Sequence, residues 1–96
     1  MTSTFELNTV RTALHRLEND GYRLLQSSDG IQRFKRGTVE AHLEAADGTD
    51  QATFFLEKPG HQCSLYVVWG LGEDCIADFR ADSTAELDRI DEIIYA

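Results

Sequence analysis

Three turn pairs punctuate this chain and leave it little freedom. Asp29–Gly30, Asp47–Gly48 and Pro59–Gly60 each supply a glycine for the positive φ that tight turns demand. Between them the apolar runs are of strand length, and helical spacing stands out only near the two ends. A helix at each end with short strands between them is the order of an α+β domain.

The first helix is read from Leu7, Val10, Leu14 and Leu17, with Asn8 as its cap and Gly21 ending it in a left-handed conformation. The stretch "YRLLQSSDGIQRFKRG" then predicts a hairpin turning at Asp29–Gly30. In "TVEAHLEAAD", Val39, Ala41, Leu43 and Ala45 alternate with Glu40, His42 and Glu44, which predicts a strand with His42 turned to water. Further strands are expected in "ATFFLE", "CSLYVVWG" and "CIADFR". The run from Leu65 to Trp69 is apolar on both faces, as suits a covered central strand or a partner interface. Ser83 to Tyr95 closes the chain as a helix, with Ser83 and Glu86 at capping-box spacing and Leu87, Ile90, Ile93 and Ile94 as its stripe. The expectation is one α+β domain over residues 1–96. It comprises an N-terminal helix, a four- to six-stranded antiparallel sheet and a C-terminal helix in a two-layer sandwich.

A chain of 96 residues can bury one hydrophobic core without metal or disulfide staples. Its two cysteines, Cys63 and Cys75, are too few for a disulfide framework and are expected to be reduced. No apolar run approaches the roughly 20 residues of a membrane span, and "MTSTFELNTV" lacks the basic and apolar regions of a signal peptide. The chain therefore reads as cytoplasmic, with no membrane partner.

Charge carries the functional argument. The formal net charge is −8, which opposes nucleic-acid binding through a general basic footprint. Residues 1–36 nonetheless carry +2 and residues 37–96 carry −10. The segment Glu73 to Ile94 sets eight carboxylates against Arg80 and Arg89. Glu86 falls near a helix start, where the dipole favours it, whereas Asp91 and Glu92 fall in the last turns, at a cost of some tenths of a kcal/mol each. Residues that break a local rule without compensation point to function. The expected partner-binding surface comprises Asp74, Asp78, Asp82, Asp88, Asp91 and Glu92, with an exposed Tyr95 or Trp69 as aromatic anchor. Such a surface would dock on a basic protein partner and, where that partner handles nucleic acid, inhibit it by occupancy. Phage-encoded inhibitors of bacterial defence and immunity proteins of toxins are similar in size and charge. The competing account of the same composition is solubility.

Residues Thr9 to Arg36 resemble the recognition helix and wing of winged-helix DNA-binding proteins in their order of helix, glycine and basic hairpin. The resemblance implies Arg11 and His15 at base edges and Arg33, Lys35 and Arg36 at phosphates. The chain ahead of Asn8 is too short to supply the supporting helices of that family. A thiol-dependent enzyme is the other alternative, with Cys63 as nucleophile and His61 beside it, since Cys75 follows Glu73 and Asp74, which disfavour a thiolate. The His and Cys spacing lacks the second ligand pair of a structural zinc site, so no metal or cofactor is expected. Catalytic residues are not assigned. The charge polarity and the two-sided strand around Tyr66 to Trp69 further suggest a homodimer.

Overall fold

The structure is a computed structural model that describes residues 3–35 and 37–96. The element order is α1 (Thr4–Asn19), β1 (Arg23–Ser28), β2 (Arg33–Phe34), α2 (Val39–Ala46), β3 (Gln51–Lys58), β4 (His61–Val68), β5 (Ile76–Ala81) and α3 (Thr84–Ile94), with a 3-10 turn at Gly72–Asp74 before β5. The five strands form one antiparallel sheet in the order β2-β1-β3-β4-β5. The α+β sandwich expected from the sequence is therefore present, with five strands and one more helix than anticipated.

Helix α1 starts a turn earlier than Asn8. Ser3 is its cap, its Oγ accepting from the Glu6 N–H, while Asn8 Oδ1 accepts from Arg11 instead. Its end follows the reading: Gly21 lies at φ 106, with Gly21 N donating to Glu18 O and Tyr22 N to Leu17 O. These two bonds define a Schellman closure, which relieves the last carbonyls. Val10, Ala13, Leu14 and Leu17 are buried against the sheet.

The segment expected as the clearest strand is helix α2. Thr38 caps it, its Oγ1 accepting from the Ala41 N–H. Its buried residues are Val39, His42, Leu43 and Ala46, which is the i, i+3, i+4, i+7 pattern of a helix once His42 counts as inward. Period two fitted the same letters only while His42 was assigned to water. His42 is fully buried, with Nδ1 2.7 Å from the Ser27 Oγ of β1. Alanine and glutamate are good helix formers, and they outweigh the alternation.

The hairpin at Asp29–Gly30 forms as read: Ser28 pairs with Arg33, and Asp29 Oδ1 accepts from the N–H groups of Ile31 and Gln32. Pro59–Gly60 closes the β3–β4 hairpin, with Lys58 opposite His61. Asp47–Gly48 instead follows helix α2 and leads the chain into β3.

Ala52, Phe54, Leu56, Cys63, Leu65 and Val67 point from the central strands into one core shared with all three helices. Thr53, Phe55, Ser64, Tyr66, Asp78 and Arg80 alternate onto the opposite face, where the register sets Thr53 against Tyr66 and Tyr66 against Asp78. Among the described residues no helix covers that face, and its side chains are half-buried or exposed.

Candidate functional site

Helix α3 buries Glu86, Ile90 and Ile94 and leaves Asp88, Asp91, Glu92 and Tyr95 exposed. Positions three and four apart are neighbours on a helix surface, so these four form one stripe. Asp74 joins it from the 3-10 turn: partial burial, then the charges of Asp91 and Asp74, raise the Tyr95 hydroxyl above its usual range. Tyr95 is 58% exposed, and its ring meets Phe79 edge-on at 6.2 Å. Among the described residues no cation lies within ion-pairing distance of Asp74, Asp88, Asp91 or Glu92. Arg89, on the same helix, is turned away to Asp20. At the end of helix α3 the carbonyl of Ile94 accepts from Arg16 Nη1 of helix α1 at 3.4 Å.

The remaining predicted positions do not converge on this stripe. Asp78 lies on the open sheet face, with Oδ2 3.2 Å from the Arg80 guanidinium. Asp82 sits at the β5–α3 junction, its Oδ1 3.3 Å from His61 Nδ1. Trp69 cannot be an exposed anchor or a dimer seam, because it is only 5% exposed. Its indole N–H reaches the Thr49 hydroxyl at 3.3 Å. The apolar run ending at Trp69 is inward at Leu65, Val67 and Trp69 and half-buried on the open face at Tyr66 and Val68.

A second constellation lies where the end of α1, the end of β3 and the start of α3 meet. Lys58 Nζ stands 3.0 Å from Asp20 Oδ2 and 2.7 Å from Glu86 Oε1. Tyr22 donates its hydroxyl to Glu86, Lys58 also lies 4.6 Å above the Tyr22 ring, and Arg89 binds Asp20 from outside. Hydrogen bonding from Lys58 and Tyr22 holds the Glu86 carboxyl below its usual range, and the Arg89 bond does the same for Asp20. Burial works against the Lys58 charge, yet Glu86 and Asp20 outweigh it and raise its pKa. Every charge in the clamp is thus fixed, which suits a structural tie among three elements. Glu86 was legible as a capping residue, and Ser83 Oγ does accept from its N–H. That its side chain would turn to Lys58 carried no local signal.

Cys63 adjoins this clamp and is buried. Burial, reinforced by Glu86, pushes its thiol up to about 12. Its neighbour His61 is directed to Asp82, with Nδ1 3.3 Å from Oδ1. Burial likewise raises the Cys75 thiol.

A third feature was missed. Glu6 Oε2 accepts from the N–H groups of Gly70, Leu71 and Gly72 at 2.8, 3.1 and 3.1 Å. Gly70 and Gly72 lie at φ 96 and 65, a path that aims successive amides at one anion. Burial alone would raise the Glu6 carboxyl, but these donors and Ser3 hold it below its usual range. The letters Gly70-Leu71-Gly72 were the available hint, although nothing local named Glu6 as the anion.

Among the described residues, Arg11 and Arg33 of the basic first third lie on different faces. Arg11 forms a two-bond pair with Glu40, at 2.7 and 3.1 Å, and the His15 Nδ1 lies 2.9 Å from Glu18. Arg33 is paired opposite Ser28, itself opposite Thr53, which places it on the open sheet face and away from α1. Lys35 is exposed, and Arg36 lies outside the described residues. Among the described residues no helix is long and apolar enough to cross a membrane. No family model, curated protein or solved structure matches this chain.

Proposed function

We propose that this chain is a non-enzymatic binding module whose α3 face docks on a basic surface of a protein partner. The observation that supports the reading is the carboxylate stripe of Asp88, Asp91 and Glu92, joined by Asp74, which has no ion-pair partner among the described residues and surrounds the exposed ring of Tyr95. Like charges at these spacings cost the helix about 0.2–0.5 kcal/mol per pair. Arg89, the cation best placed to relieve them, is committed to Asp20. Carboxylates left free at such a cost offer long-range attraction to a cationic surface, which speeds encounter and fixes orientation. Tyr95 supplies the apolar contact that carries affinity in interfaces of this kind. A partner whose basic surface ordinarily holds DNA or RNA would be inhibited by occupancy.

The test is paired affinity capture at low and moderate salt, with the wild type and an Asp88→Lys/Asp91→Lys/Glu92→Lys variant as baits. The expected result is a basic nucleic-acid-handling protein retained by the wild type alone and displaced by added duplex DNA or RNA. Recovery of the same proteins by both baits would assign the carboxylates to solubility and overturn the reading.

A further inference from the structure

The sheet has two free edges, and they differ. The β2 edge is two residues long and carries Arg33 beside the exposed Lys35, which is how natural sheets blunt an edge. The β5 edge runs for six residues from Ile76 to Ala81, pairs with β4 on one side only, and leaves Ala77, Asp78 and Arg80 exposed. A strand of this length is a template for another strand whose charges match its own.

Its charges specify which strand. A two-fold axis perpendicular to the sheet keeps the open faces together and sets residues of the two copies opposite one another in mirror order about the axis. With the axis at Phe79, Asp78 of each copy falls opposite Arg80 of the other, giving two reciprocal ion pairs. With the axis at Asp78 or at Arg80, like charges stand directly opposite, which is unfavourable. The helix-side face adds to the same register: Phe79 of one copy would lie beside Phe79 of the other, next to the half-exposed Tyr95 rings that already pack on them.

We infer that the β5 edge is a self-complementary interface through which two copies of this chain join their sheets into one ten-stranded antiparallel sheet, in the register that sets Asp78 opposite Arg80. The Asp78–Arg80 contact within each strand, at 3.2 Å, is the resting arrangement that these groups exchange for the intermolecular pairs. An edge of this length buries less than a standard interface, so the dimer is weak and its population depends on concentration.

Sedimentation equilibrium of the full chain across micromolar to millimolar concentration tests the inference, with three variants: Asp78→Arg, Arg80→Asp, and the double exchange Asp78→Arg/Arg80→Asp. Both side chains are more than half exposed, at 52% and 83%, so the variants keep the fold, and far-UV circular dichroism checks this. The wild type is expected to approach twice 10.8 kDa at the upper end. Each single variant places like charges opposite and weakens association at least about tenfold, while the double exchange restores it. A wild type that stays monomeric throughout, a dimer indifferent to the single changes, or a double exchange that fails to restore association would each overturn the inference. The readout is self-association, so it stands or falls separately from docking through α3.

Discussion

Replacing Lys58 with methionine removes the central cation of the charge clamp while preserving most of the side chain's reach. Breaking a fully buried ion pair by deleting one partner costs about 3–5 kcal/mol, because the other charge is left uncompensated. Here the Lys58, Asp20 and Glu86 side chains keep 14%, 11% and 8% exposure, and Asp20 retains Arg89. The orphan is therefore Glu86 alone, with only the Tyr22 hydroxyl left to it, and the expected loss is about 2–3 kcal/mol. For a domain of this length that corresponds to roughly 10–20 °C in Tm. The pH dependence has a definite sign. The Glu86 and Asp20 carboxyls are depressed in the fold, so their contribution is present above their unfolded values and is lost as pH falls through the folded ones. The Lys58 amine is raised, so its share is complete below its unfolded value and is lost only as pH rises through its folded one. The difference between wild type and Lys58→Met should form a plateau from about pH 5 to pH 10 and shrink in acid. Urea unfolding followed by the fluorescence of Trp69, the one tryptophan, measures it. A loss under about 0.5 kcal/mol at pH 7, or an equal loss at pH 7 and pH 3, would refute the reasoning.

Two shorter predictions follow from the same geometry. Glu6→Gln removes the charge that three backbone donors share and should cost about 1–3 kcal/mol, with faster amide exchange at Gly70, Leu71 and Gly72 as the local signature; because the Glu6 carboxyl is depressed in the fold, its stabilisation is lost as pH falls through its folded value, and unchanged exchange would refute the contact. Cys63 and Cys75 are buried with raised thiols, so a disulfide reagent at pH 7.5 should label them at least about 100-fold more slowly in buffer than in urea; rapid labelling of Cys63 in buffer would favour the thiol-enzyme reading instead.

What the sequence disclosed was whatever depended on neighbours in the chain. Gly21, Asp29–Gly30 and Pro59–Gly60 turned where they were expected to, and Ser83 capped its helix, since each acts within a few residues. The α2 segment failed because Val39 and Leu43 satisfy both a period of two and a period near four. The helix propensity of its alanines and glutamates favours the helix, and the burial of His42 against Ser27, a tertiary fact, completes the helical face. Trp69 looked available because "YVVWG" is apolar throughout, while its burial depends on where strand β4 ends. Of the expected acidic surface, Asp88, Asp91 and Glu92 share a face by helical spacing, and Asp74 arrives there through the 3-10 turn. Asp78 and Asp82 were separated by sheet pleat and chain direction, which a list of charges does not encode. The Lys58 clamp was invisible because its partners come from the ends of three different elements.

The clasp of Glu6 on the Gly70–Leu71–Gly72 loop has a consequence for the order in which this chain assembles. Strands β3, β4 and β5 follow one another and pair through short closures, so the meander can form from local contacts alone. The loop between β4 and β5 belongs to that meander, yet its amides find their acceptor 64 residues away at Gly70 and 66 at Gly72. Helix α1 is synthesised before the loop, so its Glu6 stays unengaged until the loop has followed it out. The amides of the loop in turn stay hydrated until that helix docks. The clasp thus lays one long-range closure over a meander built from short-range ones.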